Sequence, residues 1–322
     1  MKLARYTGKG NLLIADEPVP CLPEGGLLVK TEACGLCSGE LMDWYMDHKV
    51  PHVFGHEVAG IVVESDDDRY PVGCRVFPHH HAPCLSCQEC RRGLYVHCIQ
   101  WKASKLVPGG MAEFFAVGKE NLNDTIRADH LRPRDAALIE PLACVAKSIR
   151  SAGVASTDNQ HAKQAVIGLG TMGLMHMLVL PDARGYDLKA GRVEWARNLG
   201  LDASHSDAAT TADIVIVCPG NADALALATR MVAPGGTIVL FAPMPPTGPT
   251  RLDLNGLYFK DARLVSSYSC GPTDTAAATE LIRAGTIRAE QVVSDFIRLD
   301  ELPKAYQAMK AGEILKAMVM FS

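Results

Sequence analysis

Four cysteines stand at the spacing Cys84-x2-Cys87-x2-Cys90-x7-Cys98. Thiolates this close together can wrap one tetrahedral Zn²⁺ at metal–sulfur distances of ~2.3 Å, and the short loops between them cost little chain entropy to close. Successive Cys-x2-Cys steps suit a metal better than disulfides. Sulfur would fill all four positions, so such a site is structural and the chemistry has to be done elsewhere. His79-His80-His81 lies just before this lobe. Three consecutive residues cannot all face one ion, so the triplet reads as hydrogen-bonding or surface residues, with a second metal site as the alternative.

Cys37, His56, Glu57 and Glu140 offer a second, scattered set of sulfur, nitrogen and oxygen donors. Three protein ligands with one position left to water or substrate is the pattern of a catalytic zinc. Spacing alone does not select these residues. The third chemical signal is Gly168-Leu169-Gly170-Thr171-Met172-Gly173, a G-x-G-x-x-G run between an apolar strand and a helix. There the first glycine turns the chain, the second admits a pyrophosphate to the backbone, and the third allows close helix–strand packing. The helix N-terminus adds N–H groups for phosphate.

The elements that position these residues fall into two patterns. Residues 1 to about 150 alternate in short apolar runs, such as 27–30 and 58–63, separated by Gly, Pro and Asp; this is a β-rich domain. A helix is predicted from Glu140-Pro141 to about 152, followed by a polar connection over 156–160. From 164 to about 269, strands over 165–167, 214–217 and 237–241 alternate with helices over 171–180 and 222–232. Pro234-Gly235-Gly236 supplies a turn before the last strand. Such alternation implies a parallel sheet with helices on both faces. A helix over 275–284 and an apolar strand over 317–321 finish the chain.

With 322 residues, 48% of them hydrophobic and 21% charged, the chain has material for two domains and a sizeable core. The net charge is −4 with no long basic run, so a nucleic-acid or anionic-membrane partner has no electrostatic support. The apolar stretch over 165–180 is short for a bilayer and interrupted by Gly168, Gly170, Gly173 and His176. No signal-peptide pattern opens the chain, and the expectation is a cytoplasmic protein. Eleven cysteines in such a protein favour metal ligands and buried thiols over disulfides.

Together, Ala33-Cys34-Gly35-Leu36-Cys37, Gly55-His56-Glu57-Val58-Ala59-Gly60, the cysteine lobe, Pro108-Gly109-Gly110-Met111-Ala112-Glu113, Glu140-Pro141-Leu142-Ala143 and the glycine loop occur in an order that resembles the zinc-containing medium-chain dehydrogenases. Glu-Pro-Leu is similar to the sorbitol dehydrogenase branch. The resemblance implies an α/β fold: a GroES-like β-rich catalytic domain over 1–153, completed by about 273–322, beside a doubly wound Rossmann domain over 154–272. It implies two Zn²⁺ per chain and hydride transfer between NAD and a secondary alcohol (a polyol, sugar or cyclitol). A homo-oligomer, dimer or tetramer, is also implied. Amino-alcohol oxidation of the threonine dehydrogenase kind, or a non-catalytic zinc and nucleotide-binding relative, are the alternatives.

By the same resemblance Cys37 and His56 bind the catalytic zinc, with Glu140 or Glu57 as third ligand. Adjacent strand side chains point to opposite faces, so His56 and Glu57 reach one ion only across irregular backbone. Glu140 is therefore favoured, with Glu57 exchanging with water. Glu40 matches an aspartate that orients the zinc-bound histidine. Asp187, fourteen residues after Gly173, takes the ribose hydroxyls and favours NAD over NADP. Arg192 keeps the family spacing to it, and Pro181 shortens the helix between. Cys218-Pro219 and Ala242-Pro243 end strands at the sheet's carboxyl edge, and Lys316 matches a basic cofactor contact. Two positions depart from the pattern. Gly39 and Met42 stand where a relay hydroxyl and a relay histidine are usual, which leaves Ser38, His48, Glu57 or zinc-bound water to move the proton. Trp44 and Tyr45 line the pocket or pack.

Overall fold

Six parallel strands form one sheet of the computed structural model, which describes residues 1–154, 162–246 and 252–322. Across the sheet they run Ala203–His205, Arg184–Asp187, Gln164–Ile167, Ala212–Val217, Val232–Leu240 and Arg263–Ser266. In chain order this is 3-2-1-4-5-6, the doubly wound dinucleotide-binding topology. The chain moves outward twice in one direction, then returns to the far side of its first strand. Ligands of such sheets bind at that switch point, outside the carboxyl ends of Gln164–Ile167 and Ala212–Val217. The helices Thr171–Val179 and Ala222–Met231 follow these two strands.

Three strands of this sheet were not legible from periodicity. Arg184-Gly185-Tyr186-Asp187 carries charge at both ends and a glycine inside, and Ala203–His205 is only three residues long. Arg263–Ser266 is largely exposed. The Pro234-Gly235-Gly236 turn is corrected as well. It lies inside Val232–Leu240, where pairing to the neighbouring strand passes from Ala212↔Val232 to Ile214↔Thr237 and Gly235 takes φ 73°. Pro234 has no N–H to give a ladder, so the irregularity falls where pairing is already lost.

A second, eight-stranded sheet has Leu27–Gly35 near its centre. That strand pairs antiparallel with Glu57–Ser65, with Phe114–Val117 and with the C-terminal strand Ala317–Met320. Its burial on nearly every residue explains why its apolar positions do not alternate. The register sets Gly35 opposite both Glu57 and Met318, so two segments far apart in sequence meet at one strand end. The C-terminal residues belong to this unit for the same reason.

The two compact units are Met1–Ala143 with Cys270–Ser322, and Cys144–Ser269. The first boundary falls inside the helix Ile139–Ser151, whereas the sequence pattern puts it behind that helix. The polar connection expected over 156–160 lies outside the described residues. No helix among the described residues is long and apolar enough to cross a membrane.

Candidate active site

Cys37, His56 and Glu57 converge, each offering one donor atom within 4.8 Å of the others. Cys37 follows the strand Leu27–Gly35 and opens the short turn Ser38–Leu41, its Sγ accepting the Gly39 N–H at 3.3 Å. Glu57 is the first residue of its strand, and His56 lies just before it. Strict alternation therefore does not part them. Gly55 makes the irregular step at φ 103°, where an added β-carbon would lie 2.4 Å from the Met111 nitrogen. Glu140, favoured from sequence as third ligand, falls in a different set with His79 and Cys270.

Glu40 orders the first set. Its Oε1 accepts the Gly55 N–H at 2.8 Å and lies 3.2 Å from His56 Nδ1, while Oε2 accepts the Cys37 N–H at 3.2 Å. Burial opposes ionisation of Glu40, but His56 and these two N–H groups bring its pKa below the usual carboxylate value. Burial also disfavours charge on His56, yet Cys37 and Glu40 outweigh it and hold the imidazole pKa well up. Burial raises the Cys37 thiol, with His56 pulling the other way. With Nδ1 committed to Glu40, Nε2 is the nitrogen left for a metal. Thiolate, imidazole and carboxylate form a donor set suited to Zn²⁺.

Glu57 is 1% exposed and its Oε2 forms a buried ion pair with Lys316 Nζ at 2.5 Å. Lys316 also donates to the Leu36 carbonyl at 3.0 Å. Desolvation works against its charge, and Glu57 followed by Cys37 restores it, for a net rise in pKa. Sequence placed Lys316 at the cofactor; its amine stands here beside the Cys37 set. Gly35 makes room for the pair, since a β-carbon there would sit 2.2 Å from Glu57 Oε2 and 3.1 Å from Lys316 Cε. The sequence showed Gly35 only as part of a motif, because its partner across the sheet depends on register.

In the lobe, the sulfurs of Cys84, Cys87, Cys90 and Cys98 lie within 4.8 Å of one another. The Cys87 N–H donates to Cys84 Sγ at 3.3 Å and the Cys84 N–H to Cys98 Sγ at 3.4 Å. Such backbone donors stabilise thiolates. Leu85 adopts φ 62° between the first two ligands.

The glycine loop lies at the switch point of the parallel sheet. Gly168 takes φ 87°, and an added β-carbon on it would be 2.7 Å from the Pro219 ring. On Gly173 the same addition would fall 1.8 Å from the Gly168 carbonyl oxygen. Gly170 caps the helix Thr171–Val179 without a side-chain hydrogen bond; Leu169 lies between the first two glycines and Met172 in the first turn of the helix. Asp187 ends its strand with Oδ2 accepting the Leu169 N–H at 2.7 Å and Oδ1 accepting the Lys189 N–H at 2.8 Å. Arg192 Nη1 is 3.6 Å from Oδ2. Gly168, Asp187, Lys189, Arg192 and Pro219 line a cavity of about 410 Å³. The Cys218 N–H bonds the Ile167 carbonyl at 3.0 Å, and Gly220 lies close against Pro243 and Ala242.

Residues 23–125 match the family model for the alcohol dehydrogenase GroES-like domain. D-altritol 5-dehydrogenase of Agrobacterium fabrum is 31% identical over 326 residues, covering 94% of each chain. The chain belongs to the zinc-dependent medium-chain dehydrogenase family. Sorbitol dehydrogenase of Halalkalibacterium halodurans is 24% identical, with 97% of this chain and 96% of that one covered. Alcohol dehydrogenase TADH from Thermus sp. ATN1 shares the fold over 100% of both chains, with TM-score 0.85 and 24% identity.

This medium-chain dehydrogenase spends its departing positions on structure. Gly39 gives its N–H to Cys37, and Met42 stands at the N-cap of the short helix Asp43–Met46 without a side-chain capping bond. Ser38 and His48 are exposed, and Trp44 packs its ring against Tyr45 at 5.8 Å. The histidine triplet follows its hydrogen-bonding reading. His79 is fully buried with Nδ1 2.7 Å from Asp124 Oδ2, and His81 Nδ1 is 2.7 Å from the Ser104 carbonyl.

Proposed function

We propose that this protein oxidises a secondary alcohol of a polyol, sugar or cyclitol with NAD, using a zinc ion held by Cys37, His56 and Glu57. The convergence of those three donors, with Glu40 under the histidine, carries the reading. Zinc in such a set supplies Lewis-acid polarisation of a substrate oxygen. The chain's own residues do the rest. Glu40 fixes the imidazole ring and its tautomer. Lys316 holds the Glu57 carboxylate in place through a buried ion pair. Gly35 leaves the space in which the two meet.

Gly168 to Gly173 cradle the dinucleotide phosphates, and Asp187 and Arg192 flank the adenosine ribose. An acid at that position repels a 2′-phosphate and favours NAD over NADP. Cys218, Pro219 and Ala242 border the path toward the nicotinamide. The cysteine lobe holds a second, structural zinc. The similarity to polyol dehydrogenases supports the substrate class, and a homo-oligomeric cytoplasmic enzyme is the accompanying expectation.

A panel of pentitols, hexitols, cyclitols and threonine, read by absorbance of reduced cofactor, tests the reading. Turnover with a polyol and NAD is expected, and Cys37→Ser or His56→Ala should abolish it with circular dichroism unchanged. Fully zinc-loaded, NAD-binding protein that oxidises no alcohol would sink it.

A further inference from the structure

We propose that His79, Glu140 and Cys270 form a third metal site, separate from the Cys37 set and from the cysteine lobe. Their donor atoms lie within 4.8 Å of one another, and the three residues are 0%, 5% and 0% exposed. His79 follows the strand Arg75–Pro78, Glu140 lies in the first turn of Ile139–Ser151, and Cys270 precedes the helix Pro272–Arg283. All three belong to the unit that contains both chain ends. An ion here would tie the returning C-terminal segment to the N-terminal one.

The geometry is that of a first coordination sphere with its support. His79 Nε2 is 3.5 Å from Cys270 Sγ. Bonds of ~2.0 and ~2.3 Å meeting at a tetrahedral angle set nitrogen and sulfur about 3.5 Å apart. The other ring nitrogen faces Asp124 Oδ2 at 2.7 Å, and Asp124 Oδ1 accepts the Thr275 hydroxyl at 2.6 Å. The His79 N–H also donates to the Asp124 carbonyl at 3.0 Å. A carboxylate behind a histidine fixes its tautomer and aims its free nitrogen, the common arrangement around metal-bound histidines. Beside Cys270 the chain passes close to Tyr95, where a β-carbon on Gly271 would fall 2.5 Å from the ring.

Charge argues the same way. A divalent cation would neutralise the thiolate and the carboxylate that bind it. Cys270, His79 and Asp124 also line up as a nucleophile, base and orienting acid. Complete burial of the thiol and imidazole leaves no approach for a substrate, so binding an ion is the chemistry this set can perform. Thiolate, imidazole and carboxylate select zinc or cobalt over magnesium or calcium.

Metal-stripped full-length protein titrated with Zn²⁺, with elemental analysis at saturation, tests the site. A third equivalent is expected for the wild type, and its loss in both Cys270→Ser and His79→Gln, with the equivalent removed by Cys37→Ser unaffected. With Co²⁺, Cys270→Ser should lose one part of the thiolate charge-transfer absorbance. Should either variant fail to fold, Asp124→Asn serves instead and should weaken the third equivalent about ten- to hundredfold. Saturation of the wild type at two equivalents overturns the proposal. So does a Cys270→Ser protein that binds as much zinc as the wild type. Neither result touches the Cys37 set, whose own equivalent is counted separately.

Discussion

Gly35 and Glu57 stand opposite each other across two antiparallel strands, so close that a β-carbon on residue 35 would lie 2.2 Å from Glu57 Oε2. The carboxylate is buried and paired with Lys316, so a methyl group at residue 35 can be fitted only by breaking that arrangement. Gly35→Ala should therefore displace Glu57 without unfolding the sheet. We expect the zinc affinity of the Cys37 set and the turnover number to fall about ten- to hundredfold, with far-UV circular dichroism unchanged. A Gly35→Ala enzyme with wild-type zinc content and rate would show that Glu57 does not need its present place.

The same pair shows what could be read from the chain. The four lobe cysteines carry their chemistry in residue type and spacing, and the glycine loop carries its own in the strand and helix around it; Cys37, His56 and Glu57 stand out only through the family resemblance of their motifs. Glu57 against Glu140 was a matter of backbone geometry. Alternation separates His56 from Glu57 only where both lie within a strand, and here the strand begins at Glu57, after Gly55 at φ 103°. Lys316 beside Glu57, and Cys270 beside His79, are contacts between residues more than 190 positions apart. Such contacts follow from strand register and chain return, which leave no local trace. The burial of His79 was hidden likewise, since three adjacent histidines look solvated until Asp124 and Thr275 close over the first.

Asp187 has two duties that substitution can separate. Its carboxylate holds the Leu169 and Lys189 N–H groups, and it faces the cavity behind the glycine loop. Asp187→Asn keeps an acceptor for the backbone and loses the charge. It should raise the KM for NAD while improving the ratio for NADP. Asp187→Ala leaves two backbone donors without an acceptor and should weaken both cofactors further, by about tenfold or more. Equal losses for NAD and NADP in the asparagine variant would remove the charge from the selectivity argument.

In the lobe, Cys90, Val96, Cys98 and Trp101 make a small apolar cluster of their own. So small a cluster would need a bound ion to hold its loops closed. Cys90→Ala should lose one zinc equivalent, expose Trp101 to solvent and admit proteases within residues 84–103. Turnover at low temperature should survive better than in Cys37→Ser, because the lobe supplies no open coordination position. Unchanged zinc content together with unchanged protease resistance would contradict a structural metal here.

His176 gives the Rossmann unit an acid limit that is independent of any metal. Burial pushes its pKa down to about 4 from the ordinary 6.5, only partly opposed by the Met172 carbonyl. Nδ1 is 2.7 Å from that carbonyl and Nε2 is 3.0 Å from the Ser148 hydroxyl, so the neutral ring is the form that fits. The unfolded chain binds this proton more readily than the folded one. Stability from His176 is thus complete above pH 6.5 and lost as pH falls toward 4, about 3 kcal/mol in all at 1.36 kcal/mol per unit. Hydrogen exchange of the Gln164–Ile167 amides, corrected for intrinsic rate, should show this decline in the wild type. His176→Gln should flatten it, since glutamine cannot take up the proton. Parallel slopes for the two proteins would assign the acid sensitivity of this sheet to another group.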